Sequence, residues 1–293
     1  SGGSCPNVSA VVLIKVNPMP TLTGATQAAA VCSGSAATIN LTGLLANSTS
    51  TISYTINNVA QIPITSVVAT AGGTASFTTP ALTFANNGQT LQITGVTTTS
   101  ATPNCSASFT TNVTLAVNPT PTLTGATQAA AVCSGSAATI NLTGLLAGST
   151  STIAYTISGV AQTSATSIVA SGTGTASFTT PALTSANNGQ TLQITGVTTT
   201  SATPNCSASF TRNVTLSVNP LPTPTVVKDK DFTCESGGSV TVSNLPANWT
   251  INQTGQAIQT LTGTGSSSTI SGLIAGNYNF TVTNNTSGCT SNT

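Results

Sequence analysis

The chain almost lacks charge: of 293 residues four are Lys or Arg, three are Asp or Glu, and none is His. Between Lys15 and Arg212 there is no carboxylate, amine, guanidinium or imidazole side chain at all. General acid–base catalysis needs a titratable group at the reacting proton, and a Ser or Cys nucleophile needs a base or a depressed pKa to activate it. With neither at hand, the sequence predicts no enzyme, no catalytic residue and no cofactor. Affinity for phosphate backbones comes from clustered Lys and Arg, so no nucleic acid partner is expected. Long apolar runs are missing too, and no membrane span is predicted. Aromatic residues make up 4% of the chain, few for the exposed stacking platforms of sugar-binding sites. An array of carbohydrate-binding modules is the alternative reading.

Cysteine is present, seven times, without His and without a C-x-x-C spacing. That pattern predicts disulfides rather than a metal or redox site, and hence an oxidising, extracytoplasmic compartment. The first residues, Ser-Gly-Gly-Ser, carry neither the basic nor the apolar region of a signal peptide. The expectation is a mature fragment of an exported protein.

Shifting the chain by 101 residues places Thr21–Pro121 on Thr122–Pro222 with 86 of 101 positions identical. Repeats of this length are independent domains rather than solenoid units. Short runs rich in Thr, Val and Ile recur within each repeat, among them ATINLTGL, TISYTI, ASFTTPAL and QTLQITGV, separated by Gly, Pro and Asn. Apolar and polar residues alternate along Thr90–Thr94 and Asn112–Val117, and no helical period competes. The fold predicted is all-β: tandem immunoglobulin-like β-sandwich domains, each with one disulfide, in a rod-like array. Most differences between the repeats fall in Asn57–Gly72, where Asn58 becomes Gly159 and Pro63 becomes Ser164. Such swaps mark a loop or a sheet edge.

The domains expected are a terminal strand of a preceding repeat, or a donated strand, at 1–19; one repeat at 20–120; a second at 121–221; and a shorter sandwich at 222–293. Proline pairs in VNPMPT, VNPTPT and VNPLPTPT favour extended linkers between them. Each domain holds an early and a late cysteine, which gives the expected pairs Cys32 with Cys105, Cys133 with Cys206 and Cys234 with Cys289. Cys5 is left over, unpaired or bonded between domains. Trp249, the only tryptophan, reads as a core residue stacked on the last of these bonds, with a sugar platform as the other possibility. Lys228, Asp229, Lys230, Asp231 and Glu235 form the one charge cluster; its interleaved lysines favour a solvated strand start over a calcium site. No metal ligand is assigned.

PTLTGATQAAAVCSG, TINLTG, a late cysteine and VTLAVNPTP together resemble the PKD-like and immunoglobulin-like repeats of giant surface adhesins of gliding Gram-negative bacteria. SGLIAGNYNFTVTNNTSGC, from Ser271 to Cys289, resembles the SprB-type repeat of the same proteins. The resemblance implies export by type IX secretion and display on the bacterial cell surface. Those relatives often carry acidic residues in these strands, which this chain nearly lacks, so calcium dependence is not carried over.

A sandwich surface made of hydroxyls, amides and methyls has no charge repulsion to keep copies apart. Self-association into a filament, or packing on neighbouring repeats of the same chain, is therefore expected, with a glycan or surface target as a further partner. Asn-x-Ser/Thr triplets at Asn40, Asn47, Asn112, Asn141, Asn213 and Asn248 leave a glycan coat as a competing use of that surface. Residues 5–18, CPNVSAVVLIKVNP, match the end of a repeat, CSASFTTNVTLAVNP, with one residue deleted. Val11, Val12, Leu13 and Ile14 are apolar on both strand faces and need a cover, either an upstream domain or another subunit's sheet; they are the candidate assembly strand.

Overall fold

In the computed structural model, residues 11–293 are described, and the elements are β-strands apart from two short 3-10 turns, Phe84–Asn86 and Ser185–Asn187. The first sandwich is built from β1 (Gly24–Gln27), β2 (Val31–Cys32), β3 (Ser35–Thr42), β4 (Thr49–Ile56), β5 (Val59–Ala60), β6 (Ile64–Val68), β7 (Ala75–Leu82), β8 (Thr90–Thr98), β9 (Cys105–Thr114) and β10 (Val117–Asn118). The second repeats this order as β11 (Gly125–Gln128), β12 (Val132–Cys133), β13 (Ala137–Thr143), β14 (Thr150–Ile157), β15 (Val160–Ala161), β16 (Ala165–Val169), β17 (Ala176–Ala182), β18 (Thr191–Thr199), β19 (Cys206–Thr215) and β20 (Val218–Asn219). The third is shorter: β21 (Thr225–Lys230), β22 (Gly238–Ser243), β23 (Asn248–Gly255), β24 (Gln259–Thr264), β25 (Ser267–Leu273) and β26 (Tyr278–Asn284).

Strict alternation sets the layers. Along β4 the residues Ser50, Ile52, Tyr54 and Ile56 are buried, while Thr49, Thr51, Ser53 and Thr55 lie half-covered on the other face. One sheet has the order β1-β3-β7 and the other β5-β4-β8-β9, with β6 also on β4, and the second sandwich repeats both. The inner faces meet in a core that includes Ile39, Leu41, Ile52, Leu91 and Ile93, with Tyr54 set against Phe77 at 5.2 Å between ring centroids. At the edge of the sandwich β2 pairs in parallel with β10, Val31 opposite Val117 and Cys32 opposite Asn118. This order of strands and the parallel closing pair are immunoglobulin-like.

The variable segment lies where the substitutions placed it, on the short edge strands β5 and β6. Ile56 faces Val59 across the two-residue turn Asn57–Asn58, and both turn residues have positive φ, 48° and 64°. Asn and Gly are the residues that tolerate this primed turn, which is why Gly159 replaces Asn58 without changing the hairpin.

The chain groups into two compact bodies. One holds the residues up to Thr120 together with Ala202–Cys206; the other holds Pro121–Ser201 and Ser207–Thr293. The second body contains two separate cores, that of the second sandwich and a smaller one of Val242, Leu245, Trp249, Ile251, Ile270, Leu273 and Val282. The smaller core has a structural cause. Its sheets are β21-β22-β25 and β24-β23-β26, without a counterpart of β9 or β19 among the described residues. In the first sandwich β9 and its continuation contribute Val113, Leu115 and Val117, each no more than 5% exposed.

The disulfides differ from the expected pairs. Cys32 is bonded to Cys206 and Cys133 to Cys289, while Cys105 and Cys234 are free. Register explains the correction. Cys32 faces Asn118, at the far end of the strand that Cys105 opens. About 13 residues of extended chain at ~3.3 Å each put the two cysteines roughly 40 Å apart, against the ~5.5–6 Å between Cα atoms that a disulfide requires. Early and late cysteines thus occupy opposite poles of a sandwich, so no domain carries an internal bond. The early cysteine of each repeat joins the late cysteine of the next.

Candidate assembly surfaces

The candidate strand has no cover. Val11, Val12, Leu13, Ile14 and Val16 are between 79 and 94% exposed and pair with no strand among the described residues. Burying such side chains is worth about 1.5–3 kcal/mol each, so the segment is held in water at considerable cost. Cys5 and the rest of residues 1–10 lie outside the described residues. Directly after the apolar run, Asn17 Nδ2 donates to the Pro103 carbonyl at 3.0 Å, and Asn118 Nδ2 repeats the contact with the Pro204 carbonyl at 3.2 Å. The recurrence of Val-Asn-Pro at 16–18, 117–119 and 218–220 signals this anchor in the sequence. Its polar role was missed because the prolines beside it drew the reading toward linker stiffness.

Cys105 stands beside that anchor, its Sγ 3.9 Å from the Asn17 backbone oxygen. Cys234 is exposed on the turn closed by the Thr233–Ser236 bridge. The third sandwich is also open along β26. That strand pairs with β23; on its other edge the continuation of the chain holds Val282–Asn284, with the Thr283–Thr290 bridge, the Ser291 amide donating to the Val282 carbonyl, the Asn284 amide to the Cys289 carbonyl and the Val282 amide to the Ser291 hydroxyl. The stretch from Tyr278 to Thr281 has no strand beside it on that edge among the described residues. Tyr278 and Phe280 are left partly buried, and β21, the counterpart of β1, is exposed along its whole length.

The outer faces carry paired neutral groups. Gln92 Nε2 donates to Asn112 Oδ1 at 2.9 Å and Thr97 meets Ser106 at 2.9 Å, contacts repeated by Gln193 with Asn213 and Thr198 with Ser207. Along the short edge strands sit exposed apolar side chains in register between repeats, Val59 with Val160 and Val68 with Val169. Unprotected edges of this kind are templates for pairing with another chain.

The charge cluster neutralises itself. Lys228 Nζ contacts Asp231 Oδ1 at 2.7 Å, with both side chains mostly in solvent, and Asp229 accepts a hydrogen bond from the Thr241 hydroxyl. Trp249 is 4% exposed and its indole N–H donates to the Gly265 carbonyl at 3.0 Å. It is a core residue and offers no face to a sugar. It does not stack on an internal disulfide either, since Cys234 is free and Cys289 is bonded to Cys133.

The fold is a tandem array of immunoglobulin-like β-sandwiches, and the two cystines place it in an oxidising compartment. No family model matches the chain, and no curated protein does. Among solved structures it is similar to a marsupial T cell receptor, at 14% identity with 90% of this chain and 96% of that one covered and a TM-score of 0.39. It is also similar to the D1–D4 ectodomain fragment of ICAM-5, at 14% identity, 89% and 74% coverage and a TM-score of 0.34. A third is the FN1–FN3 domains of chicken CNTN1, at 12% identity, 92% and 93% coverage and a TM-score of 0.30.

Proposed function

We propose that this chain is a structural and adhesive extracellular repeat protein, a segment of a bacterial surface filament or adhesin stalk, with no enzymatic activity. The observation that carries this reading is the disulfide pattern. Bonds from the early cysteine of one repeat to the late cysteine of the next fasten successive domains instead of stiffening single ones. A catalytic or ligand-binding domain gains nothing from this, whereas a load-bearing array does. The near-absence of charge supports the same reading, because lateral contacts through hydroxyls, amides and the apolar edges at Val59 and Val160 need no counter-ions. The resemblance to repeats of bacterial surface adhesins supports the location.

Negative-stain microscopy of native, surface-derived material tests it. Ordered filaments, or stalks projecting from cells, are expected, with a period near one sandwich of roughly 40 Å at ~3.3 Å per strand residue. Recovery of the protein from the cytosolic fraction as dispersed, fully reduced monomers would overturn the reading.

A further inference from the structure

We propose that Val12–Asn17 of one copy is the last strand of the third sandwich of another copy, and that Cys105 of the first then bonds Cys234 of the second. The inference rests on the filament reading and specifies its joint.

Three independent observations converge. The first is the strand itself. Val12, Ile14 and Val16 precede Asn17-Pro18 at the spacing with which Val113, Leu115 and Val117 precede Asn118-Pro119, and Val214, Leu216 and Val218 precede Asn219-Pro220. Those six counterparts are buried in their sandwiches; the three near the start of the chain are almost fully exposed. The second is the acceptor. The sheet β24-β23-β26 stops one strand short of β5-β4-β8-β9. Val96 and Val282 are equivalent, facing Ile52 and Ile251 on their neighbouring strands. Leu91, which pairs with Val113, then corresponds to Tyr278. Val12 would face Tyr278, beyond the stretch of β26 that Thr290 and Ser291 already occupy. A single donated strand would cover Tyr278 and run on beside the exposed β21.

The third observation is the cysteine ladder. In the compact body of the first sandwich, Asn118 is anchored to Pro204, lies opposite Cys32, and Cys32 is bonded to Cys206. Asn17 is anchored in the same way to Pro103, next to the free Cys105. The group that completes this arrangement is the early cysteine of a preceding sandwich, paired opposite Asn17. Seating Val16–Asn17 against Thr233–Cys234, as Val117–Asn118 sits against Val31–Cys32, brings Cys234 to that position. The two free cysteines of the described chain are thus the complementary ends of one ladder. Bond formation proceeds by thiol–disulfide exchange: the two thiols give up two protons and two electrons, and the disulfide of a small-molecule or protein oxidant is reduced to two thiols.

The test mixes isotopically light and heavy copies of the full chain in an oxidised glutathione buffer and measures assembly by sedimentation and cross-links by mass spectrometry. Expected are oligomers containing light–heavy Cys105–Cys234 peptides. Ile14→Asp, at an exposed position that leaves each sandwich intact, should weaken association roughly a hundredfold or more by placing an unpaired carboxylate in the joint. Cys234→Ser should abolish the covalent ladder while leaving oligomers that dissociate in denaturant. Normal assembly of Ile14→Asp, or cross-links confined to single copies, would overturn the joint. So would hydrogen-exchange protection of the β26 edge in monomers, which would mean that the chain's own continuation fills it. If native filaments persist while Ile14→Asp assembles normally, the joint fails and the filament reading stands. If mixed copies cross-link but no native filament exists, the reverse holds.

Discussion

Cutting the bond between Cys133 and Cys289 separates the two possible cysteine patterns by both mass and stability. Trypsin has few sites, after Lys15, Arg212, Lys228 and Lys230. In a denatured, unreduced digest with blocked thiols, the Cys133–Cys289 bond holds residues 16–212 to residues 231–293. Were Cys234 bonded to Cys289, residues 231–293 would leave as a separate, internally closed peptide. The stability consequence follows from loop closure. If the third sandwich unfolds alone, the bond closes a loop of about 70 residues and is worth ~4 kcal/mol in the chain-entropy model; if it unfolds together with the second, the value is ~5 kcal/mol. A domain of this size shifts by ~4–8 °C per kcal/mol, so Cys133→Ser should lower the first melting transition by roughly 15–30 °C. The small core of the third sandwich makes it the element that melts first. Scanning calorimetry of Cys133→Ser beside Cys234→Ser reads this directly. A first transition that stays in place in Cys133→Ser but drops in Cys234→Ser, or a digest that releases residues 231–293, would refute the ladder.

Other consequences can be checked on the same material. Leu192→Ala, at a fully buried position, should cost the second sandwich about 2–5 kcal/mol in a denaturant titration, and Leu91→Ala the first sandwich a similar amount. Gly73 has φ of 71° and a Cβ there would meet the Leu44 carbonyl oxygen, so Gly73→Ala should cost roughly 1–3 kcal/mol, whereas Asn58→Gly should be tolerated as Gly159 is. Burial holds the pKa of Tyr54 and Tyr155 above the ordinary value of about 10. A raised folded-state value means their contribution to stability is complete below about pH 10 and is lost as pH rises through that value, so unfolding midpoints should fall in strong alkali. The Tyr54 hydroxyl is buried without a partner, so Tyr54→Phe should be neutral or stabilising by about 1 kcal/mol and should blunt the alkaline loss.

The sheets were legible because alternation on a half-buried strand leaves a mark every second residue, as in Thr90–Thr94, and because turn residues at Asn57–Asn58 and Ser158–Gly159 vary only within the types that accept positive φ. The burial of Trp249 was legible for the same reason, as an apolar residue in phase with Ile251. Cystine connectivity was not. Equal frames in successive repeats suggest bonds within each repeat, yet the frame alone does not say which pole of the sandwich a cysteine occupies. The deciding signal was the length of the last strand: Cys105 begins it and Val117-Asn118 ends it, so anything pairing with Asn118 is out of reach of Cys105. The open edge of β26 was hidden too, since the shorter length of the third domain does not say which strand is missing.

The ladder also changes what a break in the chain does. Bonds within repeats, from Cys32 to Cys105, Cys133 to Cys206 and Cys234 to Cys289, would leave the stretches 106–132 and 207–233 outside any closed loop. These are the stretches that carry the Pro-rich junctions and three of the tryptic sites, at Arg212, Lys228 and Lys230. One cleavage there would detach everything beyond it. The loops actually closed, Cys32–Cys206 and Cys133–Cys289, overlap between Cys133 and Cys206. Every peptide bond from Cys32 to Cys289 therefore lies inside at least one of them, and no single cut separates the array. Exposed junctions are the usual sites of proteolytic nicking, and here a nick costs local order but not continuity. Under the proposed role in a surface filament or stalk, covalent redundancy at the junctions would matter more than added stability within each domain. Cys105 and Cys234 are free, and the proposed bond between them would extend the same protection from copy to copy.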